Sequence, residues 1–327
     1  MNHLVYNEML KLFKNRRLLV IALILLAVIP IFTYAQYRNT QDQIKQLGTS
    51  DWRILLQQKI VDQQNRLASS RIPEEWKTWS RLNIEQQQYY LEHNINPATP
   101  GAPTFLRKFA EQSTSLFFPL LVVVLAADIV SGEHSLGTIK LLLTRPVPRW
   151  KILMSKYLAL VLGISLVMLL TAVLGYVISG TVFGYQGFTM PVLTGFKIQG
   201  DQLVTEGVHL VPQWKYLLMA FGLAWFSSII TGTLALMVSV LVRSTAASIG
   251  IMLTAVISGS LLTQMAPTWT ALKYFVFTHL SLTDYLAGEP INIEGMSPSF
   301  SLIILSCWAL AALTIAFVAF IQRDVLA

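Results

Sequence analysis

From Lys156 to Lys197 the chain carries no intervening Lys, Arg, Asp or Glu, and the same holds from Lys215 to Arg243 and from Arg243 to Lys273. Uncharged apolar runs of that length have one natural environment. A bilayer core of about 30 Å is crossed by roughly 20 apolar residues in a helix. Six stretches meet that length: Leu18–Gln36, Ser113–Val130, Tyr157–Val182, Tyr216–Val242, Ser244–Met265 and Phe300–Ile321. The second is the weakest, because Glu111 and Asp128 bracket it, and it is expected to start earlier, near Thr104. Only 13% of residues are charged, against about 25% in a soluble domain. Helices satisfy their backbone polar groups within each span, so the fold expected is an all-α integral membrane protein with six transmembrane helices.

Charge sets an orientation. With the N-terminus inside, the inner pieces are Met1–Arg17, Ser131–Lys156, Arg243 and Gln322–Ala327, and they hold 11 of the 24 basic residues. Only Glu8, Asp128, Glu133 and Asp324 oppose them. Short loops follow such a bias and long ones are exempt. The pI of about 9.5 therefore reports topology. It does not point to nucleic acid, since no soluble basic domain presents a patch. The expected topology is multi-pass, with both termini cytoplasmic. The first segment is expected to persist as an anchor, because no Ala-x-Ala cleavage site follows it. The lone Cys307 lies in the last span and is expected to be a small buried apolar residue.

The organisation follows from these spans. Residues 1–17 read as an amphipathic elbow helix, with Val5, Met9, Leu12 and Phe13 on one face and Asn7, Glu8, Lys11, Lys14 and Asn15 on the other. Such a helix lies in the headgroup plane. The first span is 18–36 and the second 113–130, separated by a helical extracellular insertion over 37–112. In that insertion a helix is expected from Thr40 to Ser70, with a second starting at Pro73-Glu-Glu-Trp76 and placing Trp76 and Trp79 on a shared face. Asn94 to Pro103 forms a Pro-rich linker. A cytoplasmic loop takes 131–152, the third span 153–182, and an external loop, irregular or a short β-hairpin, 183–214. Spans four (215–242) and five (244–265) meet at Arg243 and must be antiparallel neighbours. Residues 266–299 form an external or re-entrant segment in which Tyr274, Phe275, Phe277 and Leu280 suggest a helix at the outer leaflet. The last span is 300–321, and 322–327 is a cytoplasmic tail.

Chemistry-bearing motifs do not point to an enzyme. No Gly-x-x-x-x-Gly-Lys-Ser/Thr, His-Glu-x-x-His or Gly-x-Ser-x-Gly occurs. His3, His93, His134, His209 and His279 share no metal-ligand spacing. Ion-coupled carriers place ionisable groups inside the membrane, and here Asp128 is the sole candidate. The spans instead carry hydroxyls, with Ser227, Ser228, Thr231 and Ser258 as candidates for lining a path. Such hydroxyls also commonly bond helix carbonyls. Gly163, Gly175, Gly232, Gly250 and Gly259 would allow close helix packing.

The loop after the second span is the most specific element. Asp128, Glu133, Gly137-Thr138, Lys140, Leu142-Leu143, Pro146 and Arg149, running into a span with Lys156 at its mouth, resemble the permease subunits of ABC-2 type exporters. The likeness covers the whole chain: elbow helix, first span, external insertion, five more spans. The size of the insertion resembles that of the bacterial drug, peptide-antibiotic or sodium-export branches. The resemblance implies that 138–144 is a coupling helix docking on a separate ATPase, which binds ATP and Mg; this chain would hold no cofactor itself. Ile139, Leu142 and Leu143 would fill the ATPase groove. Lys140, Arg145 and Arg149 would meet its acids or lipid phosphates, and Glu133 would sit at the boundary. The other expected partners are membrane lipid and a second copy or a sister permease.

Two other function classes stay open on the sequence. A membrane sensor or resistance module would act through the external hairpin. A gradient-driven carrier would work without an ATPase.

Overall fold

The computed structural model describes residues 1–68, 74–139, 146–199, 202–265, 269–289 and 295–322. The chain is mostly helical. Six of its helices are long and apolar enough to cross a membrane: Arg17–Leu47, Phe117–Ser135, Arg149–Phe183, Gln213–Leu241, Thr245–Thr263 and Pro298–Gln322. The first shows why. Leu18, Ile21, Leu25, Ile29 and Thr33 form a buried stripe at spacings of three and four, while Leu19, Val20, Leu23, Leu26 and Ile31 on the opposite face are exposed. A helix apolar all round is stable only where its outer face also meets an apolar medium.

An amphipathic helix, α1 (Asn2–Lys14), precedes α2 (Arg17–Leu47). Arg16, at φ 56°, makes the corner between them. The faces of α1 differ from expectation. Glu8 turns inward, four residues from both Leu4 and the buried Leu12, while Phe13 is 53% exposed. The reason is an ionic partner in the bundle, described below.

Helix α2 extends well past the expected end at Gln36, because nothing interrupts it before Gly48, which ends it in the left-handed region at φ 66°. The single helix expected from Thr40 to Ser70 is therefore two. The second piece, α3 (Trp52–Leu67), starts at Asp51, whose side chain accepts from the Arg53 N–H. It pairs with α4 (Glu74–Glu92) as a hairpin. Pro73 lies outside the described residues, and Trp79 is half-buried. Leu56 and Tyr90 of the hairpin cluster with Leu193 and Phe196 of the loop after the third span.

The second span is preceded by a separate helix, α5 (Ala102–Ser113), whose Phe105 and Phe109 are buried in the main core. The chain then breaks at Thr114–Leu116 before α6 (Phe117–Ala126), and a short α7 (Ser131–Ser135) ends the span. The second span thus begins later than Ser113 and ends later than Val130, placing Asp128 and Glu133 in its last turns. The third span is α8 (Arg149–Phe183). Residues between it and the fourth form two nested antiparallel pairs: β1 (Pro191–Thr194) with β4 (His209–Pro212), and β2 (Lys197–Gln199) with β3 (Gln202–Val204).

The fourth span, α9 (Gln213–Leu241), is the centre of the bundle, packing on α6 and on the last span. It also touches the fifth, α10 (Thr245–Met265), across the tight turn. The segment expected to be external or re-entrant has, in its described residues, two 3-10 turns, Thr270–Tyr274 and Val276–His279, followed by α11 (Asp284–Ala287), where a single helix was expected. The last span is α12 (Pro298–Gln322).

Several close contacts of the spans, with one another and with the elements beside them, are made over glycine, as van der Waals packing in lipid favours. A Cβ on Gly232 would lie 2.8 Å from Ile164 and 3.3 Å from Val122, and one on Gly259 2.7 Å from Phe277. Gly163 and Gly175 are similarly covered by Leu125 and Leu106, whereas nothing lies within 4 Å of Gly250. Among the described residues, then, no other element packs against the Cβ side of Gly250. Cys307 is also unlike its expectation: it is exposed on the lateral face of α12.

Candidate functional site

At the N-terminal end of the bundle α1, α7 and the first turns of α8 meet around one ammonium group. Lys156 is 1% exposed. Its Nζ donates to Glu8 Oε2 at 2.9 Å, to Glu133 Oε1 at 2.7 Å and to the Ile129 carbonyl at 3.3 Å. These use all three donors a lysine has. Lys11 repeats the bridge from the outside, with Nζ 2.8 Å from both Glu8 Oε1 and Glu133 Oε1. Burial alone would lower the Lys11 pKa, but the hydrogen bonds and charges of Glu133 and Glu8 outweigh it and hold it above the ordinary lysine value. A second pair, Arg17 to Asp128 at 2.7 Å, ties the start of α2 to the second span. Burying charge is costly unless pairing and hydrogen bonding are nearly complete. Here two lysines serve two glutamates, and each glutamate lies on a different element.

The junction borders a cavity of about 840 Å3 lined by Glu8, Lys11, Asp128, Glu133, Leu136 and Thr138 among others. The loop is held from the other side too. Ser239 of α9 accepts from the backbone N–H groups of Val130 and Ser131, both at 3.0 Å, and so caps α7. The Ser135 hydroxyl donates to the Arg243 carbonyl at 3.2 Å, fastening the loop to the turn between spans four and five.

The residues singled out in the sequence do not share one environment. Glu133 is at the junction. Gly137 is in the left-handed region at φ 70° with open space around it. Thr138 is exposed and donates to the Glu133 carbonyl at 3.4 Å, and Pro146 is exposed. Ile139 is 6% exposed within the main core. It packs against its own chain here, whereas the resemblance implies a place in a partner's groove. Arg149 donates from Nη1 to the Ile321 carbonyl at 2.8 Å, joining the start of α8 to the end of α12. Lys140, Leu142, Leu143 and Arg145 lie outside the described residues.

The hydroxyls separate. Ser227 and Ser228 are each 1% exposed and Thr231 0%, all on the packed face of α9. Ser227 donates to the Leu280 carbonyl at 2.8 Å and Thr231 to the Ser227 carbonyl at 3.1 Å, while Ser228 Oγ is buried with no partner among the described residues. Ser258 is on an exposed face of α10 and bonds the Thr254 carbonyl. The structure does not bring it to the other three.

The sequence reading missed Lys156 as a hub and Glu8 as its partner. One signal was present. Lys156 is a charge set within the first apolar turns of a span, where it must be paired or reach water. Its partner, Glu8, is 148 positions away, and no local pattern points to it.

The chain is 28% identical over 330 aligned residues, covering 99% of each sequence, to a Bacillus subtilis (strain 168) protein described as "Uncharacterized protein YhcI". It is 28% identical over 215 residues, 65% of this chain and 80% of the relative, to "Uncharacterized membrane protein YdbK" of the same organism. With six spanning helices, this is a multi-pass membrane protein. The family description "Protein of unknown function (DUF2705)" matches residues 82–326, and the chain belongs to that family.

Proposed function

We propose that this chain is the membrane-spanning permease subunit of an ATP-binding cassette exporter, driven by a separate ATPase that carries the ATP and Mg. It sits in the bacterial cytoplasmic membrane with both termini in the cytoplasm, and works with a second copy or a sister permease. The observation that carries this reading is the Lys156 junction. An ATPase pressing on the loop around Thr138 would move α7, and the Glu133–Lys156–Glu8 bridge would pass that motion to the third span and the elbow helix together. Ser135 and Ser239 link the same loop to the fourth span and the turn after it. A two-state bundle biased by a remote ligand needs such physical connections. The motif around Gly137-Thr138 adds the resemblance to ABC-2 type permeases.

The test is affinity purification of the full chain from mild detergent, with mass spectrometry and an ATPase assay, for wild type and for Leu142→Asp with Leu143→Asp. A copurifying ATPase that is lost in the double variant is the expected result. Absence of any ATPase from both samples, with the membrane protein intact, would refute the reading.

A further inference from the structure

His279 lies at the far end of the bundle, away from the Lys156 junction, and is 1% exposed. Its Nε2 is 2.8 Å from the Lys273 carbonyl. A carbonyl can only accept, so Nε2 carries the proton. Nδ1, 2.8 Å from Ser301 Oγ, is then the acceptor of the neutral ring, and Ser301 donates to it. Ser301 is 0% exposed and in turn accepts from the Tyr285 hydroxyl at 2.7 Å. The hydrogen bonds thus run one way, from Tyr285 through Ser301 and His279 to the Lys273 carbonyl. They link both 3-10 turns and α11 to the first turn of α12.

We propose that His279, Ser301 and Tyr285 form a proton-operated clasp that holds segment 269–289 closed over the hydroxyl-bearing face of the fourth span. Closed, the segment puts the Leu280 carbonyl on Ser227 and Phe277 on Gly259. Protonating His279 makes Nδ1 a donor. Ser301 then has to accept from Nδ1 as well as from Tyr285, and its own hydrogen loses the acceptor it had in the neutral ring. The new cation would be buried beside Phe300. Among the described residues no carboxylate is hydrogen-bonded or ion-paired to it. α10 and α12 contain no charged residue, and Lys215 is the sole charge of α9. On its own segment the Lys273 ammonium lies over Tyr274. Asp284 acts on Tyr285, and Glu289 and Glu111 of α5 in turn act on Asp284.

Burial holds the His279 pKa below its ordinary 6.5, against the smaller opposing effect of the Lys273 hydrogen bond. An open segment restores the ordinary value. The clasp is therefore fully stabilised above pH 6.5 and loses that stability as pH falls through the lower, closed-state value. Each pKa unit between closed and open states changes the clasp equilibrium by up to about tenfold. This inference does not depend on the ATPase reading.

The experiment uses the full chain in lipid nanodiscs with 15N-labelled histidine, followed by NMR from pH 8 to pH 5 alongside hydrogen exchange of residues 276–289. The His279 signal is identified by its loss in His279→Gln. The expected result is an Nε2–H tautomer, a midpoint below 6.5, and amide protection that drops on acidification, beyond the change in intrinsic exchange rate. His279→Gln keeps a donor for the Lys273 carbonyl without titrating, and its protection is expected not to vary with pH. If that variant fails to fold, Ser301→Ala removes the Nδ1 partner and is expected to move the midpoint. A midpoint at or above 6.5, an Nδ1–H tautomer, or protection insensitive to pH in wild type would overturn the clasp. So would pH dependence that survives in His279→Gln, which would assign it to Asp284 or Glu289.

Discussion

Lys156 Nζ and Glu133 Oε1 are 2.7 Å apart, joining the third span to the end of the second, and the same ammonium reaches Glu8 Oε2 of the elbow helix at 2.9 Å. One buried cation thus fixes three elements that are far apart in the chain.

Replacing Lys156 by Met removes the cation and leaves two carboxylates facing each other, with only the half-exposed Lys11 to serve them. Losing one partner of a buried pair costs about 3 kcal/mol or more. Thermal unfolding in detergent is expected to show that loss. Converting Glu8 and Glu133 to Gln in the Lys156→Met background is expected to recover part of it, because the buried carboxylates are then neutral and the one charge left over, Lys11, is half-exposed to solvent.

The glycines give a paired comparison. Gly232→Val would drive a side chain into Ile164 and Val122, and overpacking of this kind costs about 1–3 kcal/mol. Gly250→Ala meets nothing within 4 Å and should gain about 0.5–1 kcal/mol of helix propensity. Melting temperatures of the two variants are expected to move in opposite directions. If a second copy packs over Gly250, the alanine variant would instead weaken the dimer, which size-exclusion chromatography with light scattering would detect.

Lys108 on α5 is held to a pKa of about 8, chiefly by burial and then by the charges of Arg107 and Lys59. Its amine is protonated and inert below that pH and neutral above it. Acylation of this lysine, followed by peptide mass spectrometry across a pH series, is expected to reach half its maximal rate near pH 8, well below the ordinary lysine range. A half-point above pH 10 would remove the buried environment assigned to it.

Much of the fold was legible because membranes forbid charge. The runs between Lys156 and Lys197, and on either side of Arg243, became helices within a few residues of their expected ends. The insertion was misread at Gly48, although the signal was in plain view: a glycine that ends one helix, followed by Asp51, which caps the next. The break at Thr114–Leu116 has no comparable mark in the sequence. The loop motif located the site, but not the group that organises it. Glu8 was assigned to the outward face of α1 because amphipathic patterning assumes water beyond the polar side. Here another span supplies Lys156 instead. The His279 chain was equally hidden, since His279, Tyr285 and Ser301 share no periodicity and meet only through the 3-10 turns.

The most direct test of the central claim is a photo-crosslinking amino acid in place of Thr138, irradiated in native membranes with and without ATP and Mg, with adducts identified by mass spectrometry. Thr138 is exposed beside the junction, so its replacement leaves Lys156, Glu8 and Glu133 intact. The expected result is an adduct to a nucleotide-binding ATPase whose yield changes when ATP and Mg are added. Adducts only to lipid, or to proteins that bind no nucleotide, would contradict the account.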